Sequence, residues 1–110
     1  PIIAFPKGAG PLYATYAQEL GADAISLDPS LPLDWARNNL QSIRTVQGNL
    51  DPQQLVVGGQ SMHDEIRRIC NSFAMGPFIF NLGHGVVPQT PPDHVADLVA
   101  AVREQASQQV

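Results

Sequence analysis

The sequence predicts an α/β fold of four parallel βα units, about half of a (β/α)8 TIM barrel. Three observations lead there. Short apolar runs recur at residues 2–5, 24–27, 45–47 with their neighbours, and 78–82. None alternates cleanly with polar residues, which is the pattern of strands buried on both faces. Helical periodicity fills the intervals, and strand alternating with helix means parallel strands joined by right-handed crossovers. Finally, four units in 110 residues give about 27 residues each, close to the roughly 31 of a barrel of about 250 residues. A small open four-stranded α/β sheet is the alternative on periodicity. A closed barrel is excluded by length, and the chain reads as one partial domain over residues 1–110.

The elements follow in order. The first run, Ile2-Ile3-Ala4-Phe5, ends at Lys7-Gly8-Ala9-Gly10. Residues 11–20 form a helix stopped by Gly21. The second run, 24–27, ends at Asp28-Pro29-Ser30, and residues 33–40 form a short helix. The third ends at Gly48-Asn49-Leu50-Asp51-Pro52, where Asp51-Pro52 reads as a turn or a helix start. In residues 61–73, Met62, Ile66, Ile69, Cys70 and Phe73 fall on one helical face, and Gly76-Pro77 ends that helix. The fourth run ends at Gly83-His84-Gly85. The last helix opens with Thr90 as N-cap and Pro91 in the first helical position, with Asp93 supporting the first turn. Val95, Leu98, Val99 and Val102 form its expected buried stripe.

Composition narrows the function classes. Apolar residues make up 44%, a globular value. Ten acidic residues face six basic ones, net −4, with no basic stripe, so neither nucleic acid nor a membrane surface is an expected partner. No apolar run is long enough to span a bilayer, and no signal peptide is visible. Cys70 is the one cysteine, so no internal disulfide forms, and a reducing, cytoplasmic setting fits. The histidines lack metal-ligand spacing and Cys70 lies in an apolar stripe, so no metal site is expected.

Ligands of parallel α/β folds bind at the carboxyl ends of the strands, which selects four turns. Lys7-Gly8-Ala9-Gly10 is either an anion cradle with a point charge or a flexible turn. It is not a Walker A loop, and the dinucleotide fingerprint fails because Tyr13 stands where its third glycine belongs. Asp28 either orients a ligand or neighbour, or accepts the amides of its own turn. Asn49 either contacts a ligand or locks its loop. His84, between two glycines, can approach a ligand closely and titrates near neutrality, or is an exposed turn histidine. His63 and His94 read as solvated.

Together these residues resemble a known family. Val46-Gln47-Gly48-Asn49-Leu50-Asp51-Pro52, Phe80-Asn81-Leu82-Gly83-His84-Gly85 and Pro91-Pro92-Asp93-His94-Val95 are similar to the carboxyl-terminal part of the uroporphyrinogen decarboxylases. Phe5-x-Lys7-Gly8-x-Gly10 and the segment from Gly21 to Asp28 fit in the same order, so the resemblance covers essentially the whole chain. One departure is Pro29, where the family usually has Trp.

The resemblance implies the carboxyl-terminal half of a (β/α)8 barrel. It implies a cytoplasmic, cofactor-free, homodimeric carboxy-lyase of haem biosynthesis. Such an enzyme converts the four acetate side chains of uroporphyrinogen III to methyl groups, giving coproporphyrinogen III. His84 carries over as the active-site histidine of the carboxyl-terminal part, donating a proton or a hydrogen bond to a substrate carboxylate. Lys7, Gly8, Asn49, Gly83 and Gly85 are assigned to substrate binding. The family's substrate-binding arginines, central aspartate, tyrosine and serine match no segment here, so the 110-residue piece alone is expected to be inactive. Two alternatives stand beside this reading. One is a related zinc-dependent corrinoid methyltransferase, against which His84 counts because a cysteine ligand is typical there. The other is a stand-alone α/β binding module, whose open sheet edges would favour association.

Overall fold

The computed structural model describes residues 1–6, 8–19 and 21–108. Lys7 and the predicted helix end at Leu20 lie outside the described residues. Four strands, β1 (Ile3–Ala4), β2 (Ala24–Ser26), β3 (Thr45–Leu50) and β4 (Phe78–Leu82), form one sheet in the order β1-β2-β3-β4. All three neighbouring pairs are parallel, as part of a TIM barrel requires.

Between the strands, a 3-10 turn (Gly10–Leu12) leads into α1 (Tyr13–Glu19), and α2 (Leu33–Ala36) runs on into a π turn (Arg37–Gln41). The unit after β3 carries two helices, α3 (Pro52–Val57) and α4 (Gly59–Ser72), and α5 (Pro92–Gln108) follows β4. The α3 helix settles the role of Asp51-Pro52. Asp51 is the N-cap, its Oδ1 accepting the Gln53 amide at 2.9 Å, and Pro52 takes the first helical position.

One face of the sheet carries the core. Ala4, Ile25, Val46 and Phe78 stand in one row across the four strands and pack against the helices. The α4 stripe is as the spacing predicts: Met62, Ile66, Ile69 and Cys70 are buried. Phe73 just beyond is also buried, its ring 5.0 Å from that of Phe78. Burying a side chain of that size contributes about 2–3 kcal/mol. The opposite face leaves Ile3, Phe5 and Ile79 more than 40% exposed.

Three expectations change. Gly48, Asn49 and Leu50 belong to β3, not to a turn, because they pair with Phe80, Asn81 and Leu82. Gly48 makes this possible with φ at +135°, lying so close to β2 that a Cβ there would stand 2.9 Å from the Leu27 carbonyl oxygen. The α5 helix begins at Pro92, one residue later than the capping pattern predicts. The Thr90 amide closes a turn onto Val87 O instead. Its hydroxyl, buried and unpaired among the described residues, caps nothing. The α5 stripe is only half buried: Leu98, Ala101 and Val102 pack on the core, while Val95 and Val99 are about 40% exposed. The reason is position. The helix follows β4, at the edge of the sheet, and packs mainly on α4 and α3.

Candidate functional site

The fourth turn closes one side of a cavity of about 320 Å³ at the carboxyl ends of the strands, lined by Phe5, Ser26, Asn81, Leu82, Gly83, His84, Gly85 and Val86. Alternation along the strands explains this set. Ser26 shares a row with Gln47 and Ile79, and Asn81 pairs with Asn49, so the face opposite the core becomes polar toward its carboxyl end. Gln47 Nε2 donates to Ser26 Oγ at 3.3 Å. The Asn81 carboxamide oxygen accepts the Leu82 amide at 2.8 Å, turning the chain at the strand end. His84 is exposed on this rim.

Gly83 explains how the His84 turn is fixed. Its amide donates to Leu50 O at 2.8 Å, and its Cα lies against the Pro29 ring. A Cβ at Gly83 would stand 2.6 Å from Pro29 Cδ and from the Pro29 nitrogen. No side chain larger than hydrogen fits between the second and fourth turns. Pro29, the departure from the resembled family's pattern, is thus the residue that meets the His84 turn.

Asp28 is the best-connected polar group of the site. It is 8% exposed. Its Oδ2 accepts the Gly8 amide at 3.3 Å and the Tyr13 hydroxyl at 3.2 Å. Its Oδ1 accepts the Ser30 amide at 3.2 Å and the Ser30 hydroxyl at 2.6 Å. Burial acts to raise the carboxyl pKa, but the donors from Ser30, Gly8 and Tyr13 outweigh it and hold the group below the usual carboxylate range. Tyr13 is fully buried, and its phenol is pushed up to about 12, by burial first and by the neighbouring Asp28 charge as well. It stays a neutral donor at any physiological pH.

The residues singled out in the sequence divide clearly. His84, Gly83 and Gly85 line the cavity together. Gly8 is the partner of Asp28 in the first turn, and Lys7 lies outside the described residues. Asn49 is 5% exposed, and its side-chain nitrogen donates to Asp28 O at 3.0 Å and Leu31 O at 3.3 Å. Of the two roles open to it in the sequence, this is the loop-locking one.

His94 differs from expectation. Its Nδ1 donates to Leu55 O at 2.8 Å, and its ring fills the space where a Cβ on Gly58 would be, joining α5 to the end of α3. His63 Nε2 meets Asp97 Oδ2 at 2.8 Å on the surface. Cys70 is buried, which pushes its thiol pKa up. No group of three or more metal-ligating side chains occurs among the described residues, and no helix among them is long and apolar enough to cross a membrane.

Sequence reasoning missed Phe5, Ser26 and Asn81 as cavity residues, and Tyr13 and Pro29 as its supports. Strand register would have found Ser26 and Asn81. Tyr13 entered only as a failed glycine motif.

A sheet of four parallel strands, with its helical core on one face and a polar-rimmed cavity at its carboxyl end, fits part of a TIM barrel. The particular family follows from comparison. The chain belongs to the uroporphyrinogen decarboxylase family, whose model, described as Uroporphyrinogen decarboxylase (URO-D), matches residues 1–105. It is 55% identical over 103 residues to the uroporphyrinogen decarboxylase of Rhodospirillum rubrum and 50% identical over 103 residues to that of Paracoccus denitrificans. The Sphingopyxis alaskensis protein of the same name is 52% identical over 103 residues. Each match covers 94% of this chain and 30% of the relative. The chain therefore spans about a third of the length of the curated relatives it matches.

Proposed function

We propose that this chain forms the carboxyl-terminal half of a uroporphyrinogen decarboxylase barrel and contributes His84 to its active site. The observation that carries the reading is the position of His84 on the rim of the cavity at the carboxyl ends of the strands, in a chain of this family.

The reaction is a cofactor-free carboxy-lyase reaction, repeated on four acetate side chains. A proton added to a pyrrole ring carbon makes the ring an electron sink. The carbon–carbon bond to the carboxylate then breaks, carbon dioxide leaves, and its bonding electrons form an exocyclic methylene. A second proton adds to that methylene to give a methyl group, and the ring carbon loses the first. The net change per side chain is one proton in and one carbon dioxide out. His84 supplies a proton or a hydrogen bond to a carboxylate during this cycle. Gly83, Gly85 and Gly8 bring the backbone close to the substrate, and Lys7 adds a positive charge for its carboxylates. Asn49 serves the same site by holding the second turn. Asp28 is already met by four donors, so it is no counter-ion for a cationic pyrrole. That counter-ion and the carboxylate-binding arginines come from the remaining strands, and the 110-residue piece alone is inactive. The complete enzyme is a cytoplasmic homodimer.

The test is anaerobic conversion of uroporphyrinogen by the complete protein, with coproporphyrinogen as the expected product. His84→Ala and His84→Asn should lower turnover about 10²-fold, the usual scale for a lost acid–base group. Kinetics unchanged in both variants would remove His84 from the site. Stoichiometric zinc in the purified protein would favour the methyltransferase reading instead.

A further inference from the structure

We propose that Asp28 is a positioning residue of this site. Through its turn it holds the turns after the first, second and fourth strands and the end of the third strand in one arrangement, without itself touching the substrate. The first turn is tied by the Gly8 amide, and the helix that follows it by the Tyr13 hydroxyl, both on Asp28 Oδ2. Its own turn is closed by the Ser30 amide and hydroxyl on Oδ1. At the third strand end, Asn49 donates to the Asp28 carbonyl. The fourth turn meets the next residue, Pro29, which lies against Gly83 beside His84. The Asp28 amide is used as well, donating to the Tyr13 oxygen at 3.1 Å. Every polar atom of residue 28 is therefore engaged by the chain. The group is 8% exposed and absent from the cavity lining, so any effect on a bound molecule passes through the turns.

The effect should fall unevenly on the turns. The His84 turn has an anchor independent of Asp28, the bond from the Gly83 amide to Leu50 O. Losing the Asp28 acceptors loosens the first and second turns before the fourth. The first of these serves binding in the reading given above, on which the kinetic part of this proposal rests. The loss should appear in KM rather than in kcat.

The experiment uses the complete protein with Asp28→Asn, which keeps the shape and replaces one acceptor oxygen by a donor. KM for uroporphyrinogen is expected to rise about tenfold with kcat within about twofold. Hydrogen-exchange mass spectrometry should show peptides spanning Gly8 and Ser30 exchanging about tenfold faster. Ile66→Val, a core change in α4 remote from these turns, is the control for destabilisation alone and should leave KM unchanged. If Asp28→Asn does not fold, Ser30→Ala removes only the 2.6 Å hydroxyl bond and should give a rise of about threefold in KM. Wild-type KM and exchange in the folded variant would overturn the proposal, as would an equal KM rise in Ile66→Val. Failure of the wild-type protein to decarboxylate uroporphyrinogen would sink the functional reading alone. Exchange at Gly8 and Ser30 would then decide this one: faster exchange in the variant supports it and unchanged exchange overturns it.

Discussion

Gly83→Ala should be among the most damaging single-methyl additions in this chain. The new carbon would stand 2.6 Å from Pro29 Cδ and from the Pro29 nitrogen, and 2.7 Å from Cγ. Carbon atoms sit comfortably at roughly 3.5–4.0 Å, so about 1 Å must be found. Pro29 cannot swing away, because its ring is closed onto the backbone and its neighbours are pinned. Asp28 N donates to Tyr13, and the Ser30 amide donates to the Asp28 carboxylate. Gly83 cannot retreat without losing the 2.8 Å bond to Leu50 O. The cost should therefore sit at the top of the range for overpacking, about 3 kcal/mol. Equilibrium urea unfolding of the complete protein measures it. Gly85→Ala is the matched control, since nothing lies within 4 Å of a Cβ at Gly85, and its effect should stay within about 0.5 kcal/mol. Adding Pro29→Ala to Gly83→Ala removes Cγ and Cδ but not the nitrogen, so roughly half the loss should return. A Gly83→Ala protein as stable as wild type, or a Gly85→Ala protein equally impaired, would refute the reasoning.

Other outcomes follow from the same contacts. The folded-state pKa of Asp28 is held low, so its contribution to stability is present above the unfolded value near 4 and is lost as pH falls through the folded value. The stability gap between wild type and Asp28→Asn should then shrink from pH 7 to pH 3, and a constant gap by urea titration would contradict this. Cys70 is buried with a raised thiol pKa. It should resist alkylation at pH 8 in the native protein and react on unfolding, and rapid native labelling would place it elsewhere. His94→Ala strands the Leu55 carbonyl and leaves a gap over Gly58, so it should destabilise by about 1–3 kcal/mol. His94→Asn, which keeps a donor, should cost less, and equal losses would mean the hydrogen bond contributes nothing.

The architecture was readable because it rests on local patterns. The apolar runs gave all four strands, and the spacing of Met62, Ile66, Ile69 and Cys70 gave the buried face of α4. Element ends were less readable where a distant partner decides them. Gly48 and Asn49 look like a turn in isolation and are strand because β4 lies alongside. Thr90 has the chemistry of a cap, but a turn onto Val87 moves the helix start past it. The site divided in the same way. His84 stood out because two glycines flank it, and that signal is local. Tyr13 did not, because its hydroxyl meets Asp28 fifteen residues along. Asn49 was visible, but its role is set by carbonyls in the preceding unit.

The sheet face opposite the core shows why polarity should collect where His84 lies. The row nearest the amino ends is Ile3, Ala24 and Thr45, the next is Ser26, Gln47 and Ile79, and the last is Asn49 with Asn81. Apolar groups dominate the first row and amides the last. In a closed barrel the lower rows pack side chain against side chain into a filled interior, and Ile3 and Ile79, each more than 40% exposed in this chain, are of the type that does so. The upper row cannot be buried in that way without hydrogen bonds for its amides. Those bonds come from the turns, as Asn49 already shows, or from a molecule bound above the row. Asn81, Ser26 and His84 line a space where the second solution is open. In a closed barrel the sheet would thus be sealed below and remain polar above.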